Sequence, residues 1–178
     1  MSKSVLPKSI EPMKLADQHY ELSGVLPLTE LPRMAEFTLS DQGEVDATLK
    51  FGLDEEGIRH VVGHLTCDVK VMCQRCLNEM DLTIDSNFQL AMVWSDSAAN
   101  NVPTRFEPWI LEKDSVPLYE VIEDEILLEI PVHATHPTGK CSIQTQFGET
   151  EIEIQEVVQE EDEKPNPFAA LAQLKINK

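Results

Sequence analysis

Three consecutive stretches between residues 45 and 94 alternate apolar with polar residues, and this two-residue period constrains the fold most. Their apolar positions are Val45, Ala47, Leu49, Phe51 and Leu53; then Leu65, Cys67, Val69 and Val71; then Met80, Leu82, Ile84, Phe88, Leu90, Met92 and Trp94. A period of two places these side chains on one face of each β-strand. Asp54 and Gly57 predict a short turn after the first stretch, and Ile58 begins the next strand. Because only short turns separate the strands, the sequence predicts an antiparallel β meander, or a partly closed sheet, with one buried face.

The second half of the chain contains one strong helical pattern. Its apolar residues recur at helical spacing and are Leu118, Tyr119, Val121, Ile122, Ile126, Leu127 and Ile130. Ser115 is predicted to cap the helix, Pro117 to lie in its first turn and Pro131 to end it. The predicted solvent face consists of Glu120, Glu123, Asp124 and Glu129. Glu125 lies at the edge of the apolar stripe, where it is either a functional acid or a solvated or paired flank.

Composition limits the classes of function. The chain has 178 residues, 42% hydrophobic, and a net charge of −18. Such a charge repels nucleic acid at long range unless basic residues cluster, and it favours a basic partner. Neither an apolar secretion signal nor a run of about 18 apolar residues is found, so we expect a cytoplasmic protein without a membrane span. The catalytic motifs G-x-S-x-G and H-E-x-x-H and a glycine-rich phosphate loop are also missing, which predicts a protein that is not an enzyme.

The C-terminal part differs from the rest in composition. Residues 149–163 carry eight acidic side chains and no basic one, which predicts a flexible acidic segment over residues 149–164. Residues 165–178 then predict a short docking helix with Phe168, Leu171 and Leu174 on its apolar side. The overall prediction is an α+β domain over residues 1–148, with a sheet and one main amphipathic helix, followed by these two segments.

Cysteine and histidine residues form two groups that are far apart in sequence. Cys73 and Cys76 form a C-x-x-C pair, and His136 and Cys141 follow the predicted helix. Together they make a Cys3His set, which is a normal ligand shell for structural zinc. Two alternatives are inert thiols and redox chemistry at Cys73 and Cys76; the strand-like pattern after Cys76 disfavours a thioredoxin-like site. Cys67 is predicted to be a core residue.

Basic residues near the C-x-x-C pair offer a possible contact for phosphate. Arg75 is predicted to project from the turn, and the residues that could add to it on neighbouring strands are Arg59, His60, His64 and Lys70. The alternative interpretation for each of them is a solvated sheet edge. Arg75 is therefore the candidate RNA contact, and Phe168, Leu171 and Leu174 are the candidate partner contacts.

Four motifs in this order resemble the YceD family of large ribosomal RNA subunit accumulation proteins. They are LPKSIEPMKLA, CQRCL, VIEDEILLEIPVHATHPTGKC and NPFAALAQLK. The resemblance covers most of the chain and implies a role in making, processing or stabilising large-subunit ribosomal RNA. It also implies a ribosomal protein as a partner. Some family members carry paired cysteines after the helix, whereas this chain has only Cys141 there.

These observations together predict a non-enzymatic ribosome biogenesis factor. It would bind large-subunit ribosomal RNA or a basic ribosomal or assembly protein, using the acidic segment, the helix face and the apolar C-terminal helix. The alternatives are a structural zinc-binding module that binds RNA, and a thiol-redox regulator that uses Cys73 and Cys76.

Overall fold

The computed structural model describes residues 4–141, which form seven strands, three α-helices and two 3-10 helices at Leu28–Glu30 and Pro32–Glu36. In chain order the strands and α-helices are β1 (Ser9–Ile10), α1 (Pro12–Asp17), β2 (Glu21–Pro27), β3 (Glu44–Leu53), β4 (Arg59–Met72), β5 (Glu79–Val93), α2 (Asp96–Ala99), β6 (Glu107–Ile110), β7 (Val116–Pro117) and α3 (Leu118–Glu129). The predictions of an acidic segment at 149–164 and a helix at 165–178 lie outside the described residues.

The predicted meander is confirmed by β3, β4 and β5, which pair antiparallel in sequence order. The turn between β3 and β4 is closed by the Asp54 side chain, whose Oδ1 accepts hydrogen bonds from the backbone N–H of Glu56 (2.9 Å) and Ile58 (2.8 Å). Gly57 has φ of +78°, which glycine adopts without steric cost. Alternating burial along β4 and β5 follows the apolar pattern of the sequence.

The five-stranded sheet has the order β2-β3-β4-β5-β6. The sequence pattern did not predict that the last strand is parallel to its neighbour. β6 pairs parallel with β5, so the sheet is antiparallel only across its first four strands. β6 has four residues, too few for a two-residue period to be recognised, and Pro108 is tolerated because β6 is an edge strand. The described residues form an α+β fold, as predicted, and no closed barrel.

A single apolar core lies between the sheet and α3. Ile122 and Ile126 of α3 and Leu65 of β4 are fully buried in it. Burial stabilises each such side chain by about 1.5–3 kcal/mol. Cys67 is also buried there, and this burial raises the pKa of its thiol to about 11, so the prediction of a core cysteine is confirmed.

The predicted start of the main helix is wrong. α3 begins at Leu118 without a side-chain cap, and the Ser115 hydroxyl instead lies 2.6 Å from the Ser9 hydroxyl. The reason is that β7 pairs with β1, so that the Leu118 N–H donates to the carbonyl of Lys8 (3.0 Å). The predicted end is confirmed, since α3 ends just before the extended Ile130 that precedes Pro131.

Glu123 was predicted on the solvent face of α3, and this is wrong. Its side chain is only 2% exposed, and its Oε1 accepts hydrogen bonds from the backbone N–H of Arg33 (2.6 Å) and Met34 (3.1 Å). These amides belong to the first turn of the 3-10 helix at Pro32–Glu36, whose N-terminus has no intrahelical acceptors. Glu123 therefore joins α3 to this short helix.

Among residues 4–141, no helix combines the length and the apolar character that crossing a bilayer requires.

Candidate metal centre

The first half of the candidate site is the tight turn between β4 and β5. The Cys73 N–H donates to the carbonyl of Asn78 (2.9 Å), and the Leu77 N–H donates to the carbonyl of Cys73 (2.8 Å). Leu77 has φ of +58°, a left-handed conformation that is uncommon for a non-glycine residue. This turn directs Cys73 and Cys76 towards the same side.

The second half is the segment that follows α3, which returns to the turn. The Gln74 N–H donates to the carbonyl of Ala134 (2.8 Å), and His133 Nδ1 lies 2.9 Å from the side-chain oxygen of Gln74. Ala134 is buried in the core and anchors the segment. Residues 136–141 therefore lie against the C-x-x-C turn although about 60 residues separate the two in sequence.

The four predicted ligands converge on one point. Their donor atoms all lie within 4.8 Å of one another, and they belong to Cys73, Cys76, His136 and Cys141. The Sγ atoms of Cys73 and Cys141 are 4.0 Å apart, and Cys76 Sγ is 3.3 Å from His136 Nδ1. A tetrahedral zinc ion would separate two sulfurs by about 3.8 Å and a sulfur from a nitrogen by about 3.6 Å. The donor set therefore fits zinc in both chemistry and spacing.

The imidazole of His136 is oriented by its second nitrogen. Nε2 lies 3.2 Å from the backbone carbonyl oxygen of Glu79, which can only accept a hydrogen bond. In the neutral ring the proton is therefore on Nε2, and the lone pair of Nδ1 faces the thiols. Metal-binding histidines are commonly fixed in this way by a carbonyl or carboxylate acceptor.

Backbone donors favour the thiolate form at this site. Burial alone would raise the pKa of Cys73, but N–H donors of Cys76, His136 and Arg75 outweigh it and lower that pKa to about 5. The Cys73 side chain raises the pKa of His136 by hydrogen bonding. Metal binding requires thiolates and a neutral imidazole, so the lowered pKa of Cys73 favours metal binding, whereas the raised pKa of His136 means that the ring must lose a proton when the metal binds.

Redox chemistry is less well supported by the geometry. Cys73, the thiol with the lowered pKa, is 0% exposed, whereas reactive cysteines lie in partly exposed positions. The turn leads into the strand β5 and not into a helix, as the sequence indicated. All four cysteines of the chain are free thiols.

Arg75 turns back onto the site instead of projecting from it. Its guanidinium donates to the carbonyl of His136 (3.0 Å). A side-chain hydrogen bond to Cys141 and the charge of this thiolate raise the pKa of Arg75. The guanidinium would thus offset the negative charge of the three cysteine ligands when a metal is bound. Its role as an RNA contact remains a prediction.

The other basic side chains of this group lie along β4, and three of them are already partnered by acids. Arg59 and His60 lie at the end of β4 opposite to the turn. Lys70 lies 3.2 Å from Glu79 and 3.1 Å from Asp81, and Arg59 lies 2.7 Å from Asp17. His64 lies 3.2 Å from Asp85, and His60 stacks on Phe106. All four residues lie on β4, the central strand of the sheet, so this surface is a solvated sheet face with paired charges, and the alternative of a sheet edge is wrong. Phe168, Leu171 and Leu174 lie outside the described residues.

Sequence reasoning missed a second feature, a cleft between β6 and α3. Glu125 is buried on its wall, at 8% exposure, so the interpretation as a solvated or paired flank is wrong. Glu107 and Trp109 of β6 also line this cleft. No local signal in the sequence places β6 beside α3.

The fold and the site together define a class of protein. It is an α+β protein in which the turn between β4 and β5 and the segment after α3 form a Cys3His cluster suited to a structural metal. The chain belongs to the family described as large ribosomal RNA subunit accumulation protein YceD, which matches residues 61–175 and so includes both halves of the cluster. The resemblance predicted from the four motifs is confirmed.

A curated relative covers almost the whole chain. It is the large ribosomal RNA subunit accumulation protein YceD of Haemophilus influenzae, which is 30% identical over 179 residues. The alignment spans 98% of this chain and 99% of the relative. No solved structure gives a significant match to the chain.

Proposed function

We propose that this chain is a non-enzymatic factor in the biogenesis of the large ribosomal subunit and that it acts in the cytoplasm. It supports the accumulation of large-subunit RNA by binding a basic ribosomal or assembly protein, or the RNA itself. The observation that carries the proposal is the relative of nearly equal length, 30% identical over 98% of this chain, whose name states this role. Family membership over residues 61–175 supports it independently.

The metal centre has a structural part in this proposal. Three thiolates and one imidazole fill the four positions of tetrahedral zinc and leave none open for water or substrate, as in structural zinc sites. Cys73, Cys76, His136 and Cys141 would hold the ion. Bound zinc would supply a cross-link between the β4–β5 turn and the segment after α3. This closed ligand shell supports binding, and not hydrolysis, as the activity.

Charge supports a basic protein as the direct partner. The net charge of the chain is −18, which opposes the approach of RNA phosphates. On the exposed face of β4, Lys70 near the turn and Arg59 at the opposite end of the strand are each paired with acidic neighbours, so they add little attraction for RNA. An acidic surface of this kind accelerates encounter with a basic partner and weakens with added salt.

The function is tested by removing the gene and measuring the ratio of large-subunit to small-subunit ribosomal RNA. We expect the ratio to fall and to recover when the wild-type chain is supplied from a plasmid. An unchanged ratio in the deletion strain would contradict the proposed role. Incubation of the pure chain with precursor ribosomal RNA should leave the RNA intact, because no hydrolytic step is proposed.

The metal is tested by native mass spectrometry of the full-length chain purified without chelator. We expect about one zinc per chain in the wild type and in Cys67→Ala, which removes a cysteine outside the cluster. Cys73→Ser and Cys141→Ser should each carry less than about 0.2 zinc per chain. Two ligand variants on separate segments guard against a folding defect in one of them. Zinc that is missing from the wild type, or retained in both ligand variants, would rule out the site.

A further inference from the structure

A large cavity in residues 4–141 lies on the side of α3 that faces the sheet edge. β6, the segment at residues 111–117 and α3 enclose about 710 Å³, which is within the range of ligand-binding clefts. Its apolar lining includes Leu90, Trp109, Val121 and Leu127. The cleft is separate from the Cys3His cluster, since none of the four ligands lines it.

One buried side chain in this cleft has no partner. Glu125 lines the cleft and is 8% exposed, yet it makes no hydrogen bond or ion pair within residues 4–141. Burial raises the pKa of Glu125 to about 7, and the acidic neighbours Glu107, Asp124 and Glu129 add to this. The Glu125 oxygens are not among the fully buried unpaired atoms of residues 4–141, so a ligand in the cleft can reach them. Partial burial still makes the ionised form costly, and a cation placed beside it would lower that cost.

The rest of the lining has the same sign of charge. The part of the lining that residues 4–141 supply has five carboxylates and two basic side chains: Glu107, Glu112, Glu120, Asp124 and Glu125, with Arg33 and Lys113. Arg33 is already paired with Asp124. The remaining carboxylates therefore outnumber the one remaining cation, and the cleft carries a negative potential that attracts cations.

The lining also distinguishes between kinds of cation. Only the Cys3His cluster brings three or more metal-binding side chains together in the described residues, so the carboxylates of the cleft are too dispersed to hold a metal ion. Apolar walls beside a single buried carboxylate suit a lysine or arginine, whose aliphatic stem packs on apolar surface while its head group pairs with the acid. RNA phosphates would be repelled by the same lining.

We propose that the cleft between β6 and α3 binds a lysine or arginine side chain from a basic segment of a partner protein, with the Glu125 carboxylate as the buried counter-charge. The biological partner rests on the proposed function, because a factor in ribosome biogenesis meets basic proteins. The chemistry of the site rests on the cleft alone.

Tryptophan fluorescence gives a direct readout in the full-length chain. The chain has two tryptophans, and Trp94 does not line this cleft, so Trp94→Phe leaves Trp109 as the only reporter. The probe is an acetylated and amidated peptide of sequence Lys-Leu-Arg-Lys-Leu-Arg, and the control peptide carries glutamine in place of each basic residue. We expect the basic peptide to change the Trp109 emission saturably and the glutamine peptide to bind at least about tenfold more weakly.

Two matched variants decide whether Glu125 is the counter-charge. Glu125→Gln should weaken binding of the basic peptide by about tenfold or more, because a charge-assisted hydrogen bond is lost. Glu129→Gln removes the same charge from the same helix, at an exposed position outside the cleft, and should change the affinity less than about twofold. Urea unfolding of each variant confirms that it is folded.

Four outcomes would overturn the proposal. The first two are an unchanged Trp109 emission with the basic peptide and equal binding of the glutamine peptide. The other two are an equal loss of affinity in Glu125→Gln and Glu129→Gln, and displacement of the peptide by a single-stranded RNA oligomer that binds more tightly. The test is separate from that of the proposed function. If the peptide fails while gene deletion still lowers large-subunit RNA, the cleft proposal falls and the function stands; the reverse result removes the function and leaves the cleft.

Discussion

Replacing Glu125 with glutamine should stabilise the folded chain at alkaline pH. Among residues 4–141 the side chain is buried near acidic neighbours and no cation pairs with it, so its ionised form is held at a cost. Glutamine has nearly the same shape and carries no charge at any pH. Glu125→Gln therefore removes the cost without opening a cavity.

The size of the effect follows from the pKa of Glu125. Burial, with a smaller contribution from Glu107, raises that pKa from 4.5 to about 7. Each tenfold difference in proton affinity corresponds to about 1.4 kcal/mol, so ionisation costs the folded state at most about 3 kcal/mol. Because the pKa is raised in the folded state, the wild type has its full stability below pH 4.5 and loses it as the pH rises through about 7.

Urea unfolding between pH 4.5 and pH 8.5 measures this difference directly. At pH 8 we expect Glu125→Gln to exceed the wild type by about 1–3 kcal/mol in the free energy of unfolding, and the gain should shrink to near zero around pH 4.5. Glu129 is exposed and is the weakest of the acidic neighbours that raise the pKa of Glu125, so Glu129→Gln should stay within about 0.5 kcal/mol of the wild type at every pH. A gain for Glu125→Gln that does not depend on pH, or no gain at pH 8, would refute the assignment of an unpartnered buried acid.

Three further substitutions test the fold. Glu123→Leu should lower the free energy of unfolding by about 1–3 kcal/mol, measured in urea, because it leaves amides of the 3-10 helix at Pro32–Glu36 without their acceptor, and Glu123→Gln should cost less. Gly63→Ala would place a Cβ atom 2.0 Å from Cζ of Phe88, so we expect a loss of about 1–3 kcal/mol; a neutral result would contradict the packing across β4 and β5. Leu77→Val should lower the melting temperature relative to Leu77→Gly, because φ of +58° is unfavourable for a β-branched residue; the opposite order would contradict the left-handed turn.

Local patterns predicted the parts of the fold that local physics determines. The alternation along β3, β4 and β5 is readable because each strand buries one face, and Asp54 and Gly57 mark the turn between two of them. Pro131 marks the end of α3 for the same reason. These features need only a few neighbouring residues to be recognised.

Contacts between distant segments could not be predicted in this way. Glu123 is buried because its acceptor oxygen serves amides some 90 residues earlier in the chain, which no periodicity encodes. β6 is a four-residue strand whose place beside β5 depends on the chain path between them. The cleft at Glu125 depends on that placement, so it could not be predicted from local sequence patterns either. The Cys3His cluster was predictable across a similar distance because ligand chemistry, and not periodicity, joins its two halves.

Of the two proposed partners, a basic protein and the RNA, we propose the basic protein as the direct contact, because a net charge of −18 opposes the approach of RNA phosphates. The most direct test is mass spectrometry of what co-purifies with the tagged chain at native expression level, on and off ribosomal particles and after digestion of RNA. We predict a basic large-subunit protein or assembly factor in near-stoichiometric amount that survives RNA digestion and is reduced in Glu125→Gln but not in Glu129→Gln. A chain that co-purifies with no basic protein, or only through RNA, would contradict the account.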